Sequence, residues 1–245
     1  MDNFVRFANL PESRVTSAII GEGHDDIASV LLGQGIKLYY SEKNRYIDSG
    51  ASTHADMAAF YFGNGDIIAE RRQIKLAKEL LNDGFNVSFS TKFSQGDYPN
   101  DILLNCFTVC NTLIGRLDML EPQILARYSS SVSVKQGYSK CSALILNQDS
   151  LITDDVTVKK ACDIISADCL LIEKGDIELD GRCGFIGGAS CMLDKNTAAF
   201  FGELKYHRNR DIIIDFLNKK SINFIELIDG KLQDIGGIIP LTQKA

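Results

Sequence analysis

Four aspartates stand where the chain turns rather than in its apolar runs: Asp48 in YIDSG, Asp101 in PNDIL, Asp180 in ELDGR and Asp234 in LQDIG. Loop aspartates commonly make Asx-turns, yet several carboxylates gathered around one opening also favour a cationic ligand such as a guanidinium or an amine. His54 and Asp56, in THADMAAF, lie two apart, and side chains two apart on a strand share a face. Cys106, Cys141 and Cys183 precede or enter β-prone runs, and Cys191 lies inside one, GGASCML. A thiol acts as a nucleophile once a cation, a histidine or a helix N-terminus draws its pKa below the ordinary value of about 8.5. Left between Ser190 and Met192 in a buried strand, Cys191 is simply a small core residue. The cysteines and His54 show no short ligand pair, so no metal is expected, and no cofactor. His24 in GEGHDD and His207 in KYHRNRD lie just ahead of helical stretches, where each either ends a strand or faces the same opening.

The elements that must carry these residues recur along the chain. One unit repeats: an apolar strand, a tight turn, a second apolar strand, an amphipathic helix and a third strand. Turn markers fall at Asn64-Gly65, Asn111-Thr112, Gln148-Asp149 and Lys195-Asn196. The helix expected over about 70–82 puts Ile74, Ala77, Leu80 and Leu81 on one face and stops at Asp83-Gly84. Pro122 suits the first turn of another, and Asp154-Asp155 can cap a third. Upstream, VTSAIIGEGHDDIASVLLGQGIKLYYSE has only one strand before its helix, while the tail GGIIPLTQ is a strand without a partner. Pairing the two ends completes a fifth unit. The expected architecture is therefore α/β, a single domain over 1–245 of five ββαβ pseudo-repeats around a central axis. Their bounds are about 14–48 plus 236–243, 54–92, 101–136, 140–176 and 182–229.

Composition narrows the function. The chain of 245 residues is 45% hydrophobic and 24% charged, ordinary for a globular protein able to bury a sizeable core. Seven cysteines, an odd number without CxxC spacing, do not make a disulfide framework. No apolar stretch approaches the length of a membrane span and the start has no signal-peptide core, so a cytoplasmic protein is expected. A net charge of −6 gives no attraction to nucleic acid or acidic membranes. GFIGGAS and DIGGII lack the spacings of nucleotide-binding loops.

The ring of five ββαβ units resembles the pentein fold, also called the guanidino-group modifying enzyme fold. Two segments sharpen the resemblance. GGIIPLTQ is similar to the nucleophile segment of agmatine deiminase-type penteins, with Gly236, Gly237, Ile238, Leu241, Thr242 and Gln243 in agreement, but Ile239 stands for the expected histidine and Pro240 for the catalytic cysteine. THADMAAF resembles the His-x-Asp motif of the same enzymes. The resemblance implies a cysteine-dependent hydrolase or transferase acting on a guanidino or other cationic small molecule. In it His54 is general acid and base, Asp56 holds the substrate cation, and Asp234, Cys106, Cys141 and Cys183 line the binding site. With Pro240 at the usual position, the nucleophile passes to another copy, and Cys191, also preceded by Gly-Gly-x-x, is the candidate. The alternative is a non-catalytic pentein that kept the ring as a binding or scaffold protein.

Overall fold

Asn64 and Gly65 both adopt positive φ, 54° and 85°, the backbone that a two-residue hairpin turn demands. They join Ala59–Gly63 to the antiparallel strand Asp66–Ala69, and the helix Ile74–Asn82 returns the chain so that Asn86–Phe89 adds in parallel. The computed structural model describes residues 2–245, and the same order of an antiparallel hairpin and a parallel third strand recurs in it. Phe107–Val109, Thr112–Gly115 and Ser131–Ser133 form one such sheet. Ala143–Ile145, Ser150–Thr153 and Asp168–Leu171 form another, and Ser190–Asp194, Thr197–Phe200 and Asn223–Glu226 a further one.

The tail strand Ile239–Gln243 runs antiparallel to Val15–Gly21, with Ile239 opposite Ile19 and Pro240 opposite Ala18. Val15–Gly21 then pairs in parallel with Lys37–Ser41, and Asn3–Phe4 covers the free edge of the tail. The partner that the tail required is the one the sequence pointed to. A proline is tolerated inside this strand because the register shifts between Pro240 and Thr242, where a ladder bond is not needed.

Three local expectations change. The face buried by Ile74–Asn82 is Leu76, Ala77 and Leu80, while Ile74 and Leu81 are exposed, a rotation of the apolar stripe by part of a turn. The helix opened by Pro122 is a single turn, Pro122–Leu125, and the hairpin before it turns on Cys110-Asn111 (φ 50° and 52°), one residue earlier than marked. Asp155 does cap its helix, accepting from the amides of Thr157 and Val158. A sixth sheet was not foreseen: Ile177–Leu179 and Arg182–Cys183 make a hairpin on Asp180-Gly181, joined in parallel by Leu232–Gln233.

The whole is a mixed α/β fold of small sheets with its apolar residues divided among packed clusters. Among the described residues no helix is long and apolar enough to cross a membrane.

Candidate active site

The lead-in segments to several first strands converge on one buried polar cluster. Residues 54–58 do not begin a strand: His54 is the N-cap of a one-turn helix, Ala55–Ala58, and the strand starts at Ala59. His54 and Asp56 therefore do not share a strand face, and it is the helical turn that brings both to the same thiol. That thiol belongs to Cys141, which lies in the turn ahead of Ala143–Ile145, where the Ser142 amide donates to the Tyr138 carbonyl. Cys141 Sγ is 2.8 Å from Asp56 Oδ2 and 4.0 Å from His54 Nδ1. All three residues are buried.

Asn105, in the turn ahead of Phe107–Val109, fixes the cysteine from the other side. Its Oδ1 accepts from the amide of Lys140 at 2.8 Å and from that of Cys141 at 3.4 Å, while its Nδ2 donates to Cys141 Sγ at 3.3 Å. Sequence reasoning passed over Asn105. The available signal was positional, because Asn105 precedes its sheet's first strand much as Cys141 precedes the next one.

Asp234 completes the cluster. Its Oδ1 lies 3.9 Å from His54 Nε2 and accepts from the Gly236 amide at 3.0 Å, and its Oδ2 accepts from the Phe185 amide at 2.9 Å. Gly188 makes room for this carboxylate, since a Cβ there would come within 1.8 Å of Asp234 Oδ1. The glycines of GFIGGAS thus serve close approach of a side chain to backbone.

Electrostatics follow from burial. Loss of solvent, with the negative charges of Asp56 and Asp234 nearby, holds the Cys141 thiol well above its ordinary range. Burial also raises Asp56, whose Oδ1 has no hydrogen-bond partner among the described residues. At rest the thiol is protonated and donates to Asp56. The cluster opens into a cavity of about 390 Å³ lined by carboxylates (Asp48, Asp97, Asp234) and by the rings of Tyr98, Tyr138 and Phe185. Successive ring centroids are 5.5 Å and 6.2 Å apart. The guanidinium of Arg182, also on this wall, is already held by Asp48 through two bonds of 2.9 Å and 2.6 Å. An adjoining cleft of about 720 Å³ shares His54, Arg182 and Asp234 and adds Glu178, Asp180 and His24.

The remaining residues singled out in the sequence lie as follows. Cys183 is exposed and lines the cavity. Cys106 is buried among Leu104, Leu113 and Leu120, and its thiol is raised by desolvation. Cys191 packs with Leu193, Ala199 and Ile238, its thiol pushed up to about 12 by burial. Asp101 stands behind the cavity wall, accepting from the Tyr138 hydroxyl at 2.6 Å. His207 is remote from the cluster and accepts from the Asn209 amide.

Two predictions arise from this geometry. Gly236 has φ +76°, and a Cβ there would lie 2.3 Å from the Cβ of His54. Gly236→Ala is expected to push His54 away from Cys141 and, from the left-handed backbone alone, to cost about 1–2 kcal/mol. Urea unfolding and the histidine NMR resonances report the two effects. The second concerns Asp154, whose Oδ2 accepts from the Ile186 amide while Oδ1 has no partner among the described residues. Burial pushes this carboxyl up to about 7. Between the unfolded value of about 4 and that value, the folded chain keeps a proton that the unfolded chain releases, so stability falls as pH rises through the window. Asp154→Asn is expected to remove a fall on the order of 2–4 kcal/mol, read from urea unfolding at pH 5 and pH 8.

Comparison with solved structures identifies the fold as that of the penteins. The chain superposes on the inosamine-phosphate amidinotransferase of Streptomyces griseus with a TM-score of 0.61, at 11% identity and covering 99% of this chain and 98% of that one. SxtG, an amidinotransferase from Microseira wollei, gives 0.55 at 13% identity, covering 95% and 92%. The agmatine deiminase of C. jejuni gives 0.54 at 11% identity, covering 90% and 89%. The chain belongs to a family of unknown function (DUF6873), whose sequence model matches residues 19–239. No curated protein sequence matches it.

Proposed function

We propose that the protein acts on the guanidino group of a small cationic molecule, with Cys141 as nucleophile, His54 as general acid and base, and Asp56 and Asp234 as holders of the cation. The observation that carries this reading is the Cys141, Asp56 and His54 cluster at the floor of an acidic, aromatic-walled cavity. The five sheets of like topology are taken as pseudo-repeats of one domain set around a common axis, with the cluster on that axis. The likeness to amidinotransferases and a deiminase supports the choice of substrate group.

The chemistry balances with these residues and one incoming nucleophile, water or an amine. Cys141 Sγ attacks the guanidinium carbon and its proton passes to His54. The imidazolium then protonates the departing nitrogen as its C–N bond breaks, leaving a covalent thiouronium. Water or an acceptor amine, giving a proton to His54, adds to that carbon, and the C–S bond breaks to return Cys141, which regains its proton from the imidazolium. A protonated resting thiol is no obstacle, because a guanidinium entering the cavity brings positive charge beside both Cys141 and Asp56 and favours their anions. The role of nucleophile thereby moves from Cys191, in its apolar cluster, to Cys141. The scaffold alternative rested on Pro240 alone, and the cluster provides a thiol elsewhere.

The test is incubation with guanidino compounds bearing cationic, neutral and carboxylate tails, followed by mass spectrometry of products and of cysteine peptides. A covalent adduct on Cys141 with consumption of at least one compound is expected. Consumption of none, with no adduct on Cys141, would overturn the proposal.

A further inference from the structure

A thiol, a carboxylate and an imidazole are also the donors that soft and borderline metal ions select. The ligand atoms of His54, Asp56 and Cys141 all lie within 4.8 Å of one another, and each residue is buried. We infer that this cluster is a binding site for a thiophilic divalent cation of the zinc class, taken up in exchange for the thiol proton.

Several observations converge. Cys141 Sγ and Asp56 Oδ2 face each other at 2.8 Å, and Asp56 Oδ1 is buried without a partner among the described residues, so the carboxylate has unused acceptor capacity. Tetrahedral zinc, with bonds of about 2.3 Å to sulfur and about 2.0 Å to nitrogen and oxygen, sets its donors about 3.3–3.6 Å apart. The 2.8 Å and 4.0 Å from Cys141 Sγ bracket that spacing, and with all three donors within 4.8 Å of one another, side-chain adjustment has to bring them onto one ion. His54 offers Nδ1 to the cluster and turns Nε2 towards Asp234, which two backbone amides hold in place. The order of carboxylate, imidazole and metal is that of an oriented histidine ligand, although at 3.9 Å the outer hydrogen bond is not made and a shift of the ring towards Asp234 has to close it. Asn105 Nδ2 supplies a hydrogen bond to the sulfur. His54, Cys141 and Asp234 also line the cavity, which leaves a fourth position open to solvent. One sulfur, one nitrogen and one carboxylate favour zinc over magnesium or calcium, which take oxygen donors.

On binding, the Cys141 S–H bond breaks, a sulfur–metal bond forms and the proton leaves to solvent through the cavity; no electron changes hands. A bound ion occupies the thiol and a carboxylate together and so competes with any cation entering the site. The inference does not depend on turnover, since these donors bind metal whether or not a guanidino compound reacts.

The test is titration of the full chain, first freed of metal with a chelator, with Co²⁺. One equivalent is expected to give a thiolate-to-cobalt charge-transfer band with the d–d absorption of a tetrahedral ion, both abolished by Zn²⁺. Cys141→Ser is expected to lose the charge-transfer band and Cys191→Ala to keep it. Asp234→Asn is expected to weaken affinity by about 10- to 100-fold while keeping the band. Circular dichroism checks that each variant is folded, and His54→Gln, expected to alter the d–d absorption, serves if Cys141→Ser is not. Absence of the band in the natural chain, or its persistence in folded Cys141→Ser, overturns the inference. Because the readout is spectral, a chain that binds cobalt yet consumes no guanidino compound upholds the metal site and rejects the proposed reaction, and the converse result separates them equally.

Discussion

Cys141→Ser is expected to lower turnover of the guanidino substrate by at least about 10³-fold, whereas Cys191→Ala leaves it at the natural level. A serine hydroxyl is a far weaker acid and nucleophile than a thiol, and with His54 Nδ1 4.0 Å from the Cys141 sulfur position the covalent step fails. Binding should survive, because Asp56, Asp234 and the ring-lined wall remain, so the loss is expected in kcat with little change in the substrate's dissociation constant. Cys191 is a clean contrast: it is buried with Leu193, Ala199 and Ile238, and its replacement trims packing away from the cluster. Steady-state kinetics together with direct binding by calorimetry check both halves. Equal loss in both variants, or none in Cys141→Ser, would remove Cys141 from the role.

The contrast between these two cysteines shows what a sequence makes legible. The Asn64-Gly65 hairpin was readable because positive φ is a local demand that few residues meet. The pairing of the tail was readable because an apolar strand at the end of a chain requires a partner and the first unit lacked one. Asp180-Gly181 carries the same hairpin signal, with φ of 46° and 76°, and was read only as a loop aspartate, so the sheet beside the cavity went unseen. His54 and Asp56 stood out by their spacing, but the single turn Ala55–Ala58 is too short to leave a period, and the geometry that unites them was hidden. The case for Cys191 rests on a Gly-Gly pattern, whereas the meeting of Cys141 with His54 and Asp56 is decided by which turn meets which across the fold. Asn105, 36 residues from Cys141, could become a partner only through that meeting.

Removing residues 239–245 is expected to abolish cooperative folding, a far larger effect than deleting a terminal strand that merely covers an edge. Val15–Gly21 would lose its antiparallel neighbour and Asn3–Phe4 its only strand partner among the described residues. Ile239 and Leu241 are buried in the cluster that also holds Ile19, Tyr61 and Leu80, so two sheets and the helix Ile74–Asn82 meet on this segment. The Tyr61 hydroxyl donates to the Val5 carbonyl at 2.6 Å and lies 3.3 Å from that of Leu241, and Gln243 Oε1 accepts from the Glu12 amide. Leu241→Ala alone should cost about 2–5 kcal/mol, a large part of the 5–15 kcal/mol by which a domain is usually stable. The same strand fixes Gly236 and Gly237 against His54 and Gly188 from its N-terminal side, so the cluster depends on the closure. A graded series follows: Thr242→Ala, which loses hydroxyl contacts to Thr16 and Ser17, should destabilise least, Leu241→Ala more, and the truncation should leave no unfolding transition in urea. A truncated chain that still unfolds cooperatively, with His54 and Cys141 in their natural environment, would show that the tail decorates the fold instead of closing it.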